Sequence, residues 1–430
     1  MQLERPSQRS IIRLAALGRA NVPRSLVALG VAATLAIAAR PVSAQVADVD
    51  LRGTVFYEPS KVSRLVVFTP SAEVGVRPTT WLEIRAGYEA DVVSGATEAV
   101  KAGPLADVVT GATEFEDTRH VGRGGVGITG ETTRFSAEYS YGTESDYRSQ
   151  AFSVAAGTDF FLKNTQIDLS YARGFDKVCT SPYTPSTGPS ARLRMESSEG
   201  CFSGGPERAQ RSVDIDTLQA AWTQAWTPVL AMQLVLTGSL QHGFLENPYR
   251  GVVIAPAGQD ALENHPDNRA RGAVSLRGKY YVKPLVGAVG AALRFYRDTW
   301  DIFGQTYELE AEKYLTPNIR LLGHVRYYTQ TGALFYSNDY TGGEPVSGPR
   351  GQYWTGDREL SPLSSWLFGG RALIGAKGTP DARILGVLLG FQATASVDLL
   401  TTSLEDFTWG SVEADDTTAA MVSVAMRGEF

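Results

Sequence analysis

The chain is poor in the residues that usually announce chemistry. Its 430 residues include only two cysteines, four histidines and five methionines. His120, His242, His265 and His324 are scattered, none in an H-E-x-x-H zinc spacing, and no G-x-S-x-G nucleophile elbow occurs. His242 with Ser239 makes a poor hydrolase pair, because residues three apart lie on opposite faces of a strand. The glycine run at 122–127 lacks the strand-to-helix setting of a phosphate cradle. The polar segment Glu263-Asn264-His265-Pro266-Asp267-Asn268 lacks the regular ligand spacing of a calcium loop. We therefore expect no enzyme, no metal and no cofactor.

Long apolar runs are missing too. After residue 44 no stretch reaches the roughly eighteen consecutive apolar residues of a membrane-spanning helix. Positive charge is in deficit: without residues 1–44, which hold six Arg and one Glu, the formal charge moves from −6 to −11. Such a balance speaks against nucleic acid as a partner.

What the chain does have begins at the N-terminus. Arg5, Arg9, Arg13, Arg19 and Arg24 precede a small and apolar run at 25–39, and Val42-Ser43-Ala44 precedes Gln45. A charged region, a short apolar core and a small-x-small site read as a secretory signal peptide over residues 1–44. Residues 45–430 are then the mature domain, with only about five residues before the first strand pattern and no room there for a plug or periplasmic module. No internal repeat is visible. In an exported chain, the lone pair Cys179 and Cys201, in one Gly/Ser/Pro-rich stretch, suggests a disulfide.

Alternation of period two dominates the remainder. About sixteen segments carry it, centred near Val55, Phe68, Ile84, Val126, Tyr139, Val154, Leu169, Ala220, Leu236, Leu276, Leu293, Leu309, Val325, Ala372, Phe391 and Val424. The eighth, around Trp222 and Trp226, does not hold one phase, which points to a bulge or a miscount. Connections alternate in length. Short turns such as Arg77-Pro78-Thr79-Thr80, Lys283-Pro284 and Gly378-Thr379-Pro380-Asp381 fall on one side, and long excursions near 95–118, 176–209, 244–266, 331–362 and 400–415 on the other. A soluble all-β protein has no reason to sort its connections by parity. The pattern is that of an all-β fold: one antiparallel transmembrane β-barrel of about sixteen strands (fourteen or twelve as alternatives), with short periplasmic turns and long extracellular loops. The last strand ends on Phe430, which resembles the signal read by the barrel assembly machinery of bacterial outer membranes.

The phase of strands ten to thirteen is set by charge, since an Arg or Lys on the lipid face at midplane costs about 2–4 kcal/mol. Arg269, Arg271, Arg277 and Lys279, then Arg294, then Glu308, Glu310 and Glu312, then Arg320, His324 and Arg326 all fall inward. Neighbouring walls read basic, acidic, basic. Two compatible readings stand: a ladder of structural ion pairs, or a pore lining that orients and filters solutes.

The segments at 247–254, 263–281, 293–315, 326–337 and 351–366, including ENHPDNRARGAVSLRGKYY and GQYWTGDRELSPLSSW, resemble an uncharacterised bacterial family, the domain of unknown function numbered 3570. The resemblance implies an exported outer-membrane barrel and supplies no substrate or site residue. The expectation from sequence is thus an outer-membrane, porin-like channel for small hydrophilic solutes, in contact with outer-membrane lipid. The alternative is a non-transporting barrel whose lumen is closed by ion pairs and loops.

Overall fold

In an alternating strand every second side chain leaves one face, so a sheet of such strands needs either two solvents or closure. Closure is the outcome here. The computed structural model describes residues 46–59, 64–95, 108–110, 115–202, 205, 207–254, 259–338, 352–378, 383–409, 412–413 and 416–430. The segment read as a signal peptide lies outside them, as do residues 379–381 of one expected turn.

Sixteen strands form one closed barrel. They are β1 (Val46–Pro59), β2 (Arg64–Arg77), β3 (Leu82–Gly95), β4 (Phe115–Thr129), β5 (Thr133–Thr143), β6 (Tyr147–Phe160), β7 (Thr165–Thr180), β8 (Ala209–Thr227), β9 (Leu230–Gly243), β10 (Asn268–Val282), β11 (Gly287–Asp298), β12 (Phe303–Thr316), β13 (Ile319–Gln330), β14 (Leu363–Lys377), β15 (Gly390–Leu404) and β16 (Thr417–Glu429). Each pairs antiparallel with the next, and β16 closes on β1 with Val422 opposite Val55. Beyond the last ladder pair, the Phe430 N–H donates to the Ala47 carbonyl at 2.8 Å.

The two faces separate as the alternation requires. Ile84, Tyr139, Leu169, Trp222, Leu276, Leu309, Phe368 and Val424 stand exposed on the outside, although they are large and apolar. That is the surface a lipid-facing barrel wall presents. Trp366 stacks on Phe368 and packs against Tyr327 there, with ring centroids 5.9 and 4.7 Å apart. The charged alternates turn inward.

Two expectations need adjusting. The β14–β15 connection is not a four-residue turn: β15 starts only at Gly390, and a bridge between Ile384 and Leu388 folds the preceding segment on itself. The irregularity expected in the eighth strand is a bulge near its end, where the β8–β9 register shifts between Leu230 and Ala231 and leaves Trp226 unpaired. The longest connections, β7–β8, β9–β10 and β13–β14, all leave from one end. One turns there on Gly243, whose φ of 119° suits only glycine and whose missing Cβ lets the chain pass the Ser212 carbonyl.

Candidate functional site: a charged lumen beneath folded loops

The inner wall holds its charges by a recurring device. An acidic and a basic side chain stand two strands apart, and the residue facing inward between them is glycine or alanine. Asp48 and Arg85 face each other across Gly75, with 3.8 Å between charged atoms. Arg134 reaches Asp168 across Gly157 at 2.5 Å, and Lys279 reaches Glu310 across Gly290 at 3.4 Å. His324 Nε2 stands 3.1 Å from Asp398 Oδ1 across Gly369, and Arg277 donates to Glu308 across Ala292 at 3.2 Å. A gap of two strand spacings, about 9.6 Å, is within reach of two long side chains only if nothing bulky stands between them. Arg371 supplies the contrast: Glu312 lies two strands away, but Leu322 occupies the gap and no pair forms. Lys279 and Arg320 take Glu312 instead, at 2.7 and 3.2 Å.

The sequence-derived lining residues divide on this basis. Arg277, Lys279, Glu308, Glu310, Glu312, Arg320 and His324 belong to the paired set above. Arg269 is buried, donates twice to Asp298 and lies 4.0 Å over the Trp300 ring, so it anchors a loop and is withdrawn from the open lumen. Arg271, Arg294 and Arg326 have no carboxylate partner among the described residues. The register explains why. Arg294 looks over Ser275 toward Val235 and over Thr306 toward Tyr328. Arg326 looks over Leu367 toward Leu400, and the Glu308 beside it is engaged by Arg277. Arg271 lies opposite Asp298, which Arg269 holds. All three line one cavity of about 780 Å³, together with Tyr296, Tyr328, and Glu359 and Leu360 from the β13–β14 loop. Glu83 and Glu89 pair locally, with Arg77 and Arg85 and with Arg123.

Described parts of the β11–β12, β13–β14 and β15–β16 connections fold over this cavity as a cap with its own core. Trp300, Ile302, Phe335, Tyr336, Leu360 and Phe407 pack as one buried cluster. The segment 352–362 turns inward. Its Arg358 comes within 3.6 Å of Glu58 on β1, while Asp357 and Glu359 both accept from Arg250. Burial works against ionisation of Glu359, yet Arg250 and Arg358 outweigh it and hold the carboxyl below the usual range. The fully buried Glu263 fastens the cap: one carboxylate oxygen accepts from the Thr355 hydroxyl at 2.9 Å and the Gly356 N–H at 3.0 Å, and the other stands 3.2 Å from His265 Nε2. The segment 263–268 is thus an interior brace. Nearby, burial pushes the Glu246 carboxyl up, against the pull of His265 and Arg192. Cys179 and Cys201 form a disulfide at the foot of the β7–β8 loop, with Cα atoms 5.8 Å apart.

With this geometry in place, comparison with known proteins adds one firm result. Residues 26–369 match the family described as "Protein of unknown function (DUF3570)". The chain belongs to that family. No curated protein matches it. Among solved structures it is similar to a bacterial polysaccharide outer membrane secretin (11% identity, TM-score 0.45, covering 88% of this chain and 97% of the other). It is also similar to the outer membrane protein OpdK from Pseudomonas aeruginosa (9%, 0.40, 90% and 99%) and to a BenF-like porin from Pseudomonas fluorescens Pf-5 (8%, 0.41, 90% and 100%). Likeness at this level reaches no further than the overall fold. The family assignment names no site, so the lumen must be read from this member's own residues.

Several of those residues escaped the sequence reading. Asp298 accepts from Arg269, the Tyr296 hydroxyl and the Trp300 and Ile302 N–H groups, and so organises the β11–β12 turn. Its signal was available, since an aspartate closing a strand is a turn former. Asp398, Arg371 and Glu58 had no comparable signal, because their partners depend on register across several strands.

Proposed function

We propose that this protein is an outer-membrane channel for small hydrophilic solutes, exported to the periplasm and inserted through its C-terminal strand. The observation that carries the reading is the cavity against β10–β13, where arginines without carboxylate partners face space instead of ion-pairing. A barrel built only to be filled gains nothing from such groups, since an unpaired charge held in a protein interior costs stability. Sixteen strands leave a lumen wider than side chains alone fill, which suits an aqueous path. No catalytic role belongs to this reading.

One observation favours the alternative, a non-transporting barrel. The cap has a packed core, and Arg358 and Arg250 tie its inward segment to β1 and to the β9–β10 loop. Single-channel recording of the purified protein in planar bilayers separates the two. Discrete ion currents are expected at all salt concentrations, and their complete absence would leave only the structural barrel.

A further inference from the structure

We propose that Arg271, Arg294 and Arg326 form a binding site for a small organic anion bearing ionised oxyanion groups, carboxylate or phosphate, at two ends. The proposal deepens the channel reading and rests on it for the solute's route, though not for binding itself. Five arginines and two glutamates line the cavity. Asp298 holds Arg269, Glu308 holds Arg277, and Glu359 is taken up by Arg250 and Arg358, which leaves Arg271, Arg294 and Arg326 outside every ion pair among the described residues, although Asp298 and Glu308 are the ladder partners of Arg271 and Arg326.

Their positions set the ligand's dimensions. Arg294 and Arg326 are separated by β12 and offset by two residues along it, their ladder partners there being Thr306 and Glu308, a Cα spacing of about 12 Å. Arg271 lies four residues along β10 from Ser275, the ladder partner of Arg294, a distance of about 13 Å along the strand. Long side chains from three such corners converge on a molecule with charge at both ends better than on a single monatomic ion. Guanidinium forks match carboxylate and phosphate in a planar, bidentate way. The Tyr296 and Tyr328 rings and Leu360 offer apolar contact to a carbon skeleton between the charged ends. A volume of about 780 Å³ falls in the range that encloses a small organic molecule.

The test is equilibrium binding to the purified, folded protein in detergent by calorimetry, with citrate and glucose 1,6-bisphosphate as probes and glucose as the neutral control. The double variant Arg294→Gln/Arg326→Gln is compared with Arg123→Gln, which removes a lumen cation paired to Glu89 on a distant wall. Saturable binding of at least one anion is expected, weakened tenfold or more in the double variant and little changed in Arg123→Gln. Whichever anion binds more tightly identifies the headgroup. No saturable binding of either anion, equal binding of glucose, or equal losses in both variants would overturn the site. Because binding needs no conductance, currents without binding sink the site alone, and binding without currents sinks the channel reading alone.

Discussion

Two patches of the same wall, on the same strands β10 to β13, treat their charges in opposite ways. Around Lys279, Glu310, Glu312 and Arg320, every charge meets an opposite one, and Gly290 clears the space for a bridge over β11. Toward the loops, Arg294 meets serine, threonine and tyrosine, and Arg326 meets leucine on one side and on the other Glu308, which Arg277 already engages. Residue types and strand geometry are common to both patches. What differs is the register partner two strands away and the size of the residue between. The first patch is a lattice that stabilises the barrel, and the second is held at some cost to stability, which is what a site for an incoming anion requires.

The comparison can be broken most severely from the paired side. Asp48 is almost fully buried among Arg77, Arg85 and Arg427. Asp48→Asn should lower barrel stability by about 2–3 kcal/mol, because it removes the buried carboxylate that three partly exposed arginines share. Urea midpoints for unfolding from lipid vesicles measure it, and an unchanged midpoint would remove the structural role of the lattice. Gly369→Val comes next. A side chain there intrudes between His324 and Asp398, and should cost about 1–3 kcal/mol in the same assay. If it is neutral, the cleared gap has no structural importance.

The unpaired patch should respond the other way. Arg294→Gln/Arg326→Gln removes charges that lack partners, so stability should hold or rise by up to about 1 kcal/mol. A fall as large as that for Asp48→Asn would place these arginines in the lattice after all. The smallest effect concerns the cap. The Glu246 carboxyl titrates above its ordinary value in the folded loops, so the cost of its ionisation is absent below the unfolded value and complete once pH exceeds the raised folded one. Glu246→Gln should therefore slow amide exchange across residues 244–265 at neutral pH, with the difference vanishing near about pH 4. A difference that persists at low pH would contradict the burial argument.

Much of this architecture was legible because it depends on local pattern. Period-two alternation located all sixteen strands, connection parity oriented them, and Phe430 marked the strand that closes on β1. Inward phase followed from charge alone at residues such as Glu310 and Arg326. Pairing was not legible. Whether Arg326 meets a carboxylate depends on Leu367 and Leu400, which lie dozens of residues away and become neighbours only once register is fixed. The β14–β15 connection was misjudged because Thr379-Pro380-Asp381 has turn composition, although the chain continues to Gly390 before pairing resumes. The inward course of segment 352–362 depends on Arg250, Glu58 and Glu263, which no spacing within that segment encodes.

The most direct measurement is the reversal potential of single channels under a potassium chloride gradient. The unpaired arginines should make the protein anion-selective, and Arg294→Gln/Arg326→Gln should shift the reversal potential toward the cation side, while Arg123→Gln, on the paired wall, shifts it far less. A cation-selective protein, or a reversal potential that the double variant does not change, would contradict the assignment of this patch as the face the lumen offers to solute.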